Sequence, residues 1–147
     1  MLLLGTANSA SQTVLADGIV NMGATYRKMC KKDCSGNPAF TNTETSISLN
    51  QSGIYHITAT LIGSGTEAGV VTVQLLSNGV ALPTAISSQT ITTADTELRT
   101  FVIDYYVIVN TTCVLGRTSV QPAVLTLQNT GVGATFTAVT VNVDKDV

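Results

Sequence analysis

The chain of 147 residues has the length of a single domain, and it is 44% hydrophobic but only 11% charged, against roughly 25% in an ordinary soluble domain. A net charge of −2 provides no basic field for nucleic acid, and no apolar run approaches the ~20 residues that span a bilayer. With so few charges, much of the outer surface must be Thr, Ser, Asn, Gln or bare apolar side chains, a surface that invites association with further copies.

Residues 1–20 read as an N-terminal arm followed by a first strand. Met1-Leu2-Leu3-Leu4 lacks the basic flank and the long apolar stretch of a signal peptide. It is expected to be an apolar arm that packs on a partner, with Gln12 to Ala16 as the first strand, closed by an Asp17-Gly18 turn. Residues 21–44 change character. Arg27, Lys28, Lys31 and Lys32 cluster there, and Cys34-Ser35-Gly36-Asn37-Pro38 marks a loop. Such a cluster is a solvated loop or a docking contact to an acidic surface. Cys30, Cys34 and Cys113 are compatible with free thiols in a reducing cytoplasm, or with a bridge from Cys30 or Cys34 to Cys113. A zinc site needs four ligands, and the single histidine, His56, falls in a strand.

From residue 45 to the end the pattern is that of the main body of the domain. Thr45 to Asn50 alternates with period two. Ile54 to Leu61 puts Tyr55, Ile57, Ala59 and Leu61 on one face and His56, Thr58 and Thr60 on the other. Gly63 to Gly69 is read as a loop, and Val70 to Leu76 as a strand. Asn78-Gly79 supplies the two positive-φ residues of a type I′ hairpin. Pro83 belongs at an edge or bulge because it donates no ladder bond. Ile86 to Thr92 is a short polar strand. Leu98 to Val109 is the longest, with Phe101, Ile103 and Tyr105 on one face and Tyr106 and Ile108 on the other, so either set forms the core and the other an interface. Cys113 to Gly116, Ala123 to Asn129 and Thr135 to Val143 complete an all-β antiparallel sandwich of eight to ten strands.

No catalytic constellation is laid over these strands. A lone histidine excludes most acid–base arrangements, Asp95 and Glu97 flank a turn, and Asp144 and Asp146 are terminal. The Gly63-Ser64-Gly65 segment lacks the Lys and the following helix of a phosphate loop. The chain is expected to be no enzyme and to need no cofactor or metal.

Gly53-Ile54-Tyr55-His56-Ile57 resembles the Gly-x-Tyr-x-Ile strand of the tumour-necrosis-factor and complement-globular-head jelly rolls. Asn78-Gly79-Val80-Ala81-Leu82-Pro83 and a closing Val141 to Lys145 follow in the same order. The chain is similar to the C-terminal domain of collagen-like spore-surface glycoproteins, and more similar to small virion proteins of tailed phages of Firmicutes, through Asn129-Thr130-Gly131 and Thr135-Phe136. The resemblance implies a homotrimer assembled in the host cytoplasm and carried on the virion. In that setting Leu2, Leu3, Leu4, Arg27, Lys28, Lys31 and Lys32 are expected to dock a trimeric decoration protein on the major capsid protein or another virion protein. The alternative is a fibre or baseplate tip that binds a host glycan.

Overall fold

The computed structural model describes residues 2–115 and 117–146, with the backbone alone for 112–114 and 117–119. Among the described residues the chain is all β, and eleven of its strands form two antiparallel sheets packed face to face as a jelly roll. The first sheet contains β1 (Leu2–Asn8), β2 (Gln12–Val14), β3 (Ala24–Met29), β6 (Gly53–Gly65), β9 (Arg99–Val109) and β13 (Ala134–Asp146), in the order β3-β1-β13-β6-β9, with β2 pairing β13. The second contains β4 (Phe40–Asn42), β5 (Ile47–Leu49), β7 (Gly69–Ser77), β8 (Val80–Ile91) and β12 (Ala123–Asn129), in the order β4-β5-β12-β7-β8. A separate hairpin, β10 (Thr111–Val114) with β11 (Arg117–Val120), joins β9 to β12.

Period-two alternation decides what fills the space between the sheets. Tyr55, Ile57, Ala59 and Leu61 of β6 are buried alongside Val141 and Val143 of β13, Phe101, Ile103 and Val107 of β9, and Val71, Val73 and Leu75 of β7. Phe40 meets the ring of Tyr55 edge-on across the two sheets, at 5.8 Å between centroids. Phe101 and Phe136 meet in the same geometry, at 5.9 Å. Each such pair stabilises the core by about 0.5–1.5 kcal/mol beyond its area.

The start of the chain departs from expectation. Leu2–Asn8 is no free arm but an interior strand, paired with β13 from Leu2↔Lys145 to Asn8↔Val139 and with β3 on its other side. Leu2 and Leu4 are 7% and 1% exposed. Their place is dictated by burial of apolar surface, since three successive leucines left in water would forgo about 1.5–3 kcal/mol for each one that the core can take. Residues 21–44 likewise hold strands, β3 and β4, rather than one long loop. Every residue of β3 is exposed, so no periodic apolar signal marks it.

The hairpin residues behave as the sequence requires. Asn78 and Gly79 have φ of 52° and 79°, and Ser77 pairs directly with Val80. Pro83 falls where the β7–β8 register shifts, between Gln74↔Ile86 and Leu76↔Ala81, on the edge strand β8. The bulge lets Val80–Ile91 run as a single strand, longer than the expected Ile86 to Thr92.

Candidate assembly surface

Among the described residues, no layer covers the outward row of β9. Its residues alternate with the core row, so Val102, Asp104, Tyr106 and Ile108 stand on the outer face beside Thr60, Thr58, His56 and Ile54 of β6. Tyr106 and Ile108 are 59% and 62% exposed, and Val102 and Ile54 are exposed as well. This settles which side of the longest strand is which. Phe101 and Ile103 are core, Tyr105 is half-buried, and Tyr106 and Ile108 face solvent.

A small polar cluster interrupts the apolar face. The Nε2–H of His56 donates to Asp104 Oδ1 at 2.5 Å. The imidazole also stacks on the ring of Tyr106, with centroids 4.6 Å apart and planes at 16°. Asp144 of β13 stands opposite His56 on the other flank of β6. Sequence reading placed His56 on this face but overlooked Ile54 and Asp104. Both follow from period two once the core row is fixed by Tyr55 and Phe101.

β9 is also the free edge of its sheet. Gln89 of β8 donates through Nε2 to the Thr100 carbonyl at 3.2 Å, joining the two sheets near one end. Toward the other end the edges part, leaving an open groove of about 530 Å³ lined by Leu82, Tyr105, Tyr106, Val109 and Ala123. Apolar surface therefore continues from the outer face of β6 and β9 around the edge of the sandwich.

Charge is distributed unevenly between the two ends of the strands. Among the described residues, one end carries Asp17, Glu44, Glu67, Asp95 and Glu97 on its loops, with Arg99 as the only base beside them. Glu97 accepts hydrogen bonds from the Thr92 and Thr93 amides, which hold its carboxyl below the usual range. The opposite end gathers Arg27, Lys28, Lys31, Lys32 and Lys145, against Asp33, Asp144 and Asp146. Arg27 and Lys28 lie on the edge strand β3, where basic side chains also discourage pairing with another sheet. Lys31 and Lys32 belong to the following loop, tied down by Gln51, whose Nε2 donates to the Lys31 and Asn37 carbonyls at 2.9 and 2.8 Å.

The expected docking set is therefore divided. Arg27, Lys28, Lys31 and Lys32 are exposed and share one end, whereas Leu2 and Leu4 are core residues and Leu3 sits half-buried between Met29 and Asp144. Cys30 and Cys34 are free thiols, the former accepting the Ala39 amide at 3.1 Å. The side chain of Cys113 lies outside the described residues. Among the described residues no three His, Cys, Asp or Glu side chains converge as a metal site.

No protein-family model matches the chain, and no curated protein matches it in sequence. Solved structures do match. The PRD1 vertex protein P5 aligns with a TM-score of 0.59 and 17% identity, covering 99% of this chain and 97% of that one. Murine APRIL aligns with a TM-score of 0.63 and 7% identity over 97% of this chain and 98% of its own. The Eiger TNF of S. frugiperda gives 0.59 and 8%, over 99% and 91%. The fold is thus the tumour-necrosis-factor-like jelly roll, shared with the PRD1 vertex protein P5.

Proposed function

We propose that the chain is a non-enzymatic structural protein of a phage virion, a homotrimer that decorates the capsid. The observation that carries this reading is the uncovered apolar row Ile54, Val102, Tyr106 and Ile108 on the outer face of the first sheet. Ile54, Tyr106 and Ile108 are neighbours on that face, and a cluster of large apolar side chains left in water marks an interaction surface. In a closed ring of three, the face of one copy packs against the β8–β9 edge of the next, a heterologous contact that closes on itself. The likeness in fold to the PRD1 vertex protein supports the virion setting.

Docking on the capsid is assigned to the basic end of the sandwich rather than to a mobile arm, because Leu2 and Leu4 are committed to the core. Arg27, Lys28, Lys31 and Lys32 meet an acidic capsid surface, and the acidic loops at the opposite end point outward.

Sedimentation velocity at micromolar concentration tests the trimer, and a monomer there would remove it. Immunogold labelling of intact virions from the genome that encodes the chain tests the location, with signal on the heads expected and signal confined to tails pointing to the adhesin. Reversing the four basic charges should weaken binding to undecorated heads while leaving the melting temperature nearly unchanged. Because exposed charges are screened over ~8 Å at physiological ionic strength, the wild-type attachment should also weaken with added salt.

A further inference from the structure

We infer that His56 makes assembly of the trimer pH-dependent, with protons favouring the assembled state. This rests on the trimer proposed above and concerns the regulation of the same face. His56 is the only histidine of the chain. It stands within the apolar row that a neighbouring copy would cover, between Ile54 and Thr58 on its own strand and flat against Tyr106 on β9. Histidine is the side chain whose charge ordinarily changes between about pH 5 and 8.

The groups around it decide the sign. From β9 it faces Asp104, at 2.5 Å, and the phenol of Tyr106. From β13 it faces Asp144, with Asp146 one pair further along, opposite Ile54. The other ionisable group of β6, Tyr55, is turned into the core, and the next strand beyond β13 places Leu3 opposite Asp144. Among the described residues the surroundings are therefore anionic, with no second cation facing the imidazole.

Covering this face with another copy takes the cluster out of water. With a neutral imidazole, the Asp104 carboxylate would be buried on a hydrogen bond alone. With an imidazolium, the ion pair is complete, and Asp144, paired with His56 across β6 and β13, adds a second carboxylate to its surroundings. A buried charge is tolerated when paired and strongly unfavourable when its partner is lost. Assembly is therefore tighter when the ring is protonated, and by linkage assembly takes up protons. A trimer carries the device three times, which steepens the response. The outward side chains that surround it (Ile54, Tyr106, Ile108) supply the apolar contact that does not change with pH.

The test is sedimentation of the full-length protein, with thermal melts as a folding control, across about pH 5.5 to 8.5. The wild type is expected to bind its copies at least about tenfold more tightly at the acidic limit than at the alkaline one. His56→Gln should remain folded and lose that dependence. Asp104→Asn should reverse the trend, because acid would then bury an imidazolium without its partner. A trimer whose dissociation constant is indifferent to pH, or a His56→Gln trimer that keeps the wild-type response, overturns the inference while leaving the trimer standing. A monomer at every pH overturns the assembly reading beneath it.

Discussion

Tyr26 donates its hydroxyl hydrogen to Asn142 Oδ1 at 2.6 Å, reaching from β3 to β13 over the strand that lies between them. The reach is possible because residue 5 of that intervening strand is glycine. A Cβ there would lie 2.7 Å from the tyrosine ring. The edge strand β3, exposed along its whole length, is thus clasped to the centre of the sheet by one phenol.

Gly5→Ala should displace the Tyr26 ring and break this clasp, destabilising by about 1 kcal/mol, comparable with the loss of one hydrogen bond. Tyr26→Phe should show a similar effect on its own. The two should not add: in a Tyr26→Ala background, Gly5→Ala should be nearly silent, since nothing remains for the new methyl to strike. Chemical denaturation of the four proteins in this cycle checks the coupling, and full additivity would refute it.

Asn129 is fully buried and holds a corner of the fold. Its Nδ2 donates to the Val14 and Val132 carbonyls at 3.1 and 2.7 Å, and its Oδ1 accepts the Gly131 amide at 3.1 Å. Replacing it with Ala leaves buried backbone groups unsatisfied, each worth about 1–3 kcal/mol, so a loss of about 2–4 kcal/mol is expected in denaturant titration. Asn129→Asp should be no better, because a carboxylate cannot donate to two carbonyls.

A carboxylate separates the two faces of β9. Phe101→Asp buries an unpaired charge in the core and should abolish folding. Ile108→Asp and Tyr106→Asp lie on the exposed face, so the isolated protein should keep its stability within about 0.5 kcal/mol. Those same two changes should prevent trimer formation. Circular dichroism paired with sedimentation separates the outcomes, and a trimer that survives Ile108→Asp would place the interface elsewhere.

Tyr55 introduces an alkaline limit. Burial pushes its phenol up to about 12 from 10.0, while its hydroxyl donates to the Gln51 carbonyl at 2.7 Å. A group whose folded value is raised adds stability that is complete below the unfolded value and is lost as pH climbs through the folded one. Stability should therefore decline between pH 10 and about 12 by an amount on the order of 1–2 kcal/mol. Tyr55→Phe should start lower, having lost a hydrogen bond, and decline less steeply over that interval in urea titrations at fixed pH.

Local chemistry made much of the sandwich legible. The Asn78-Gly79 turn, the alternation of β6, β7 and β9, and Ala123–Asn129 all rest on signals within a few residues of one another. The misread elements are those whose partners are remote. Leu2-Leu3-Leu4 does not alternate, and its strand is defined by residues near 145. β3 is exposed throughout and exists only because β1 offers it a ladder. The candidate surface was half visible. Period two put Tyr106 and Ile108 opposite Phe101, but choosing the core row required the neighbouring strand, whose Tyr55 and Ile57 fix the inward side. Asp104 and Ile54 then follow without further information.

The seating of β1 between β3 and β13 has a consequence for the chain as it is made. A ribosome delivers Leu2–Asn8 more than a hundred residues before Ala134–Asp146, yet these segments lie side by side. Until β13 emerges, the first sheet is split, with β1 and β3 on one side of a gap and β6 and β9 on the other. The nascent protein thus carries unsatisfied strand edges until β13 is made and closes in a long-range step, the kind of topology that folds slowly and risks aggregation. Without Ala134–Asp146 the second sheet keeps all five of its strands while the first stays in two pieces, so a product truncated before that strand has half a sandwich and no means of closing it over the core.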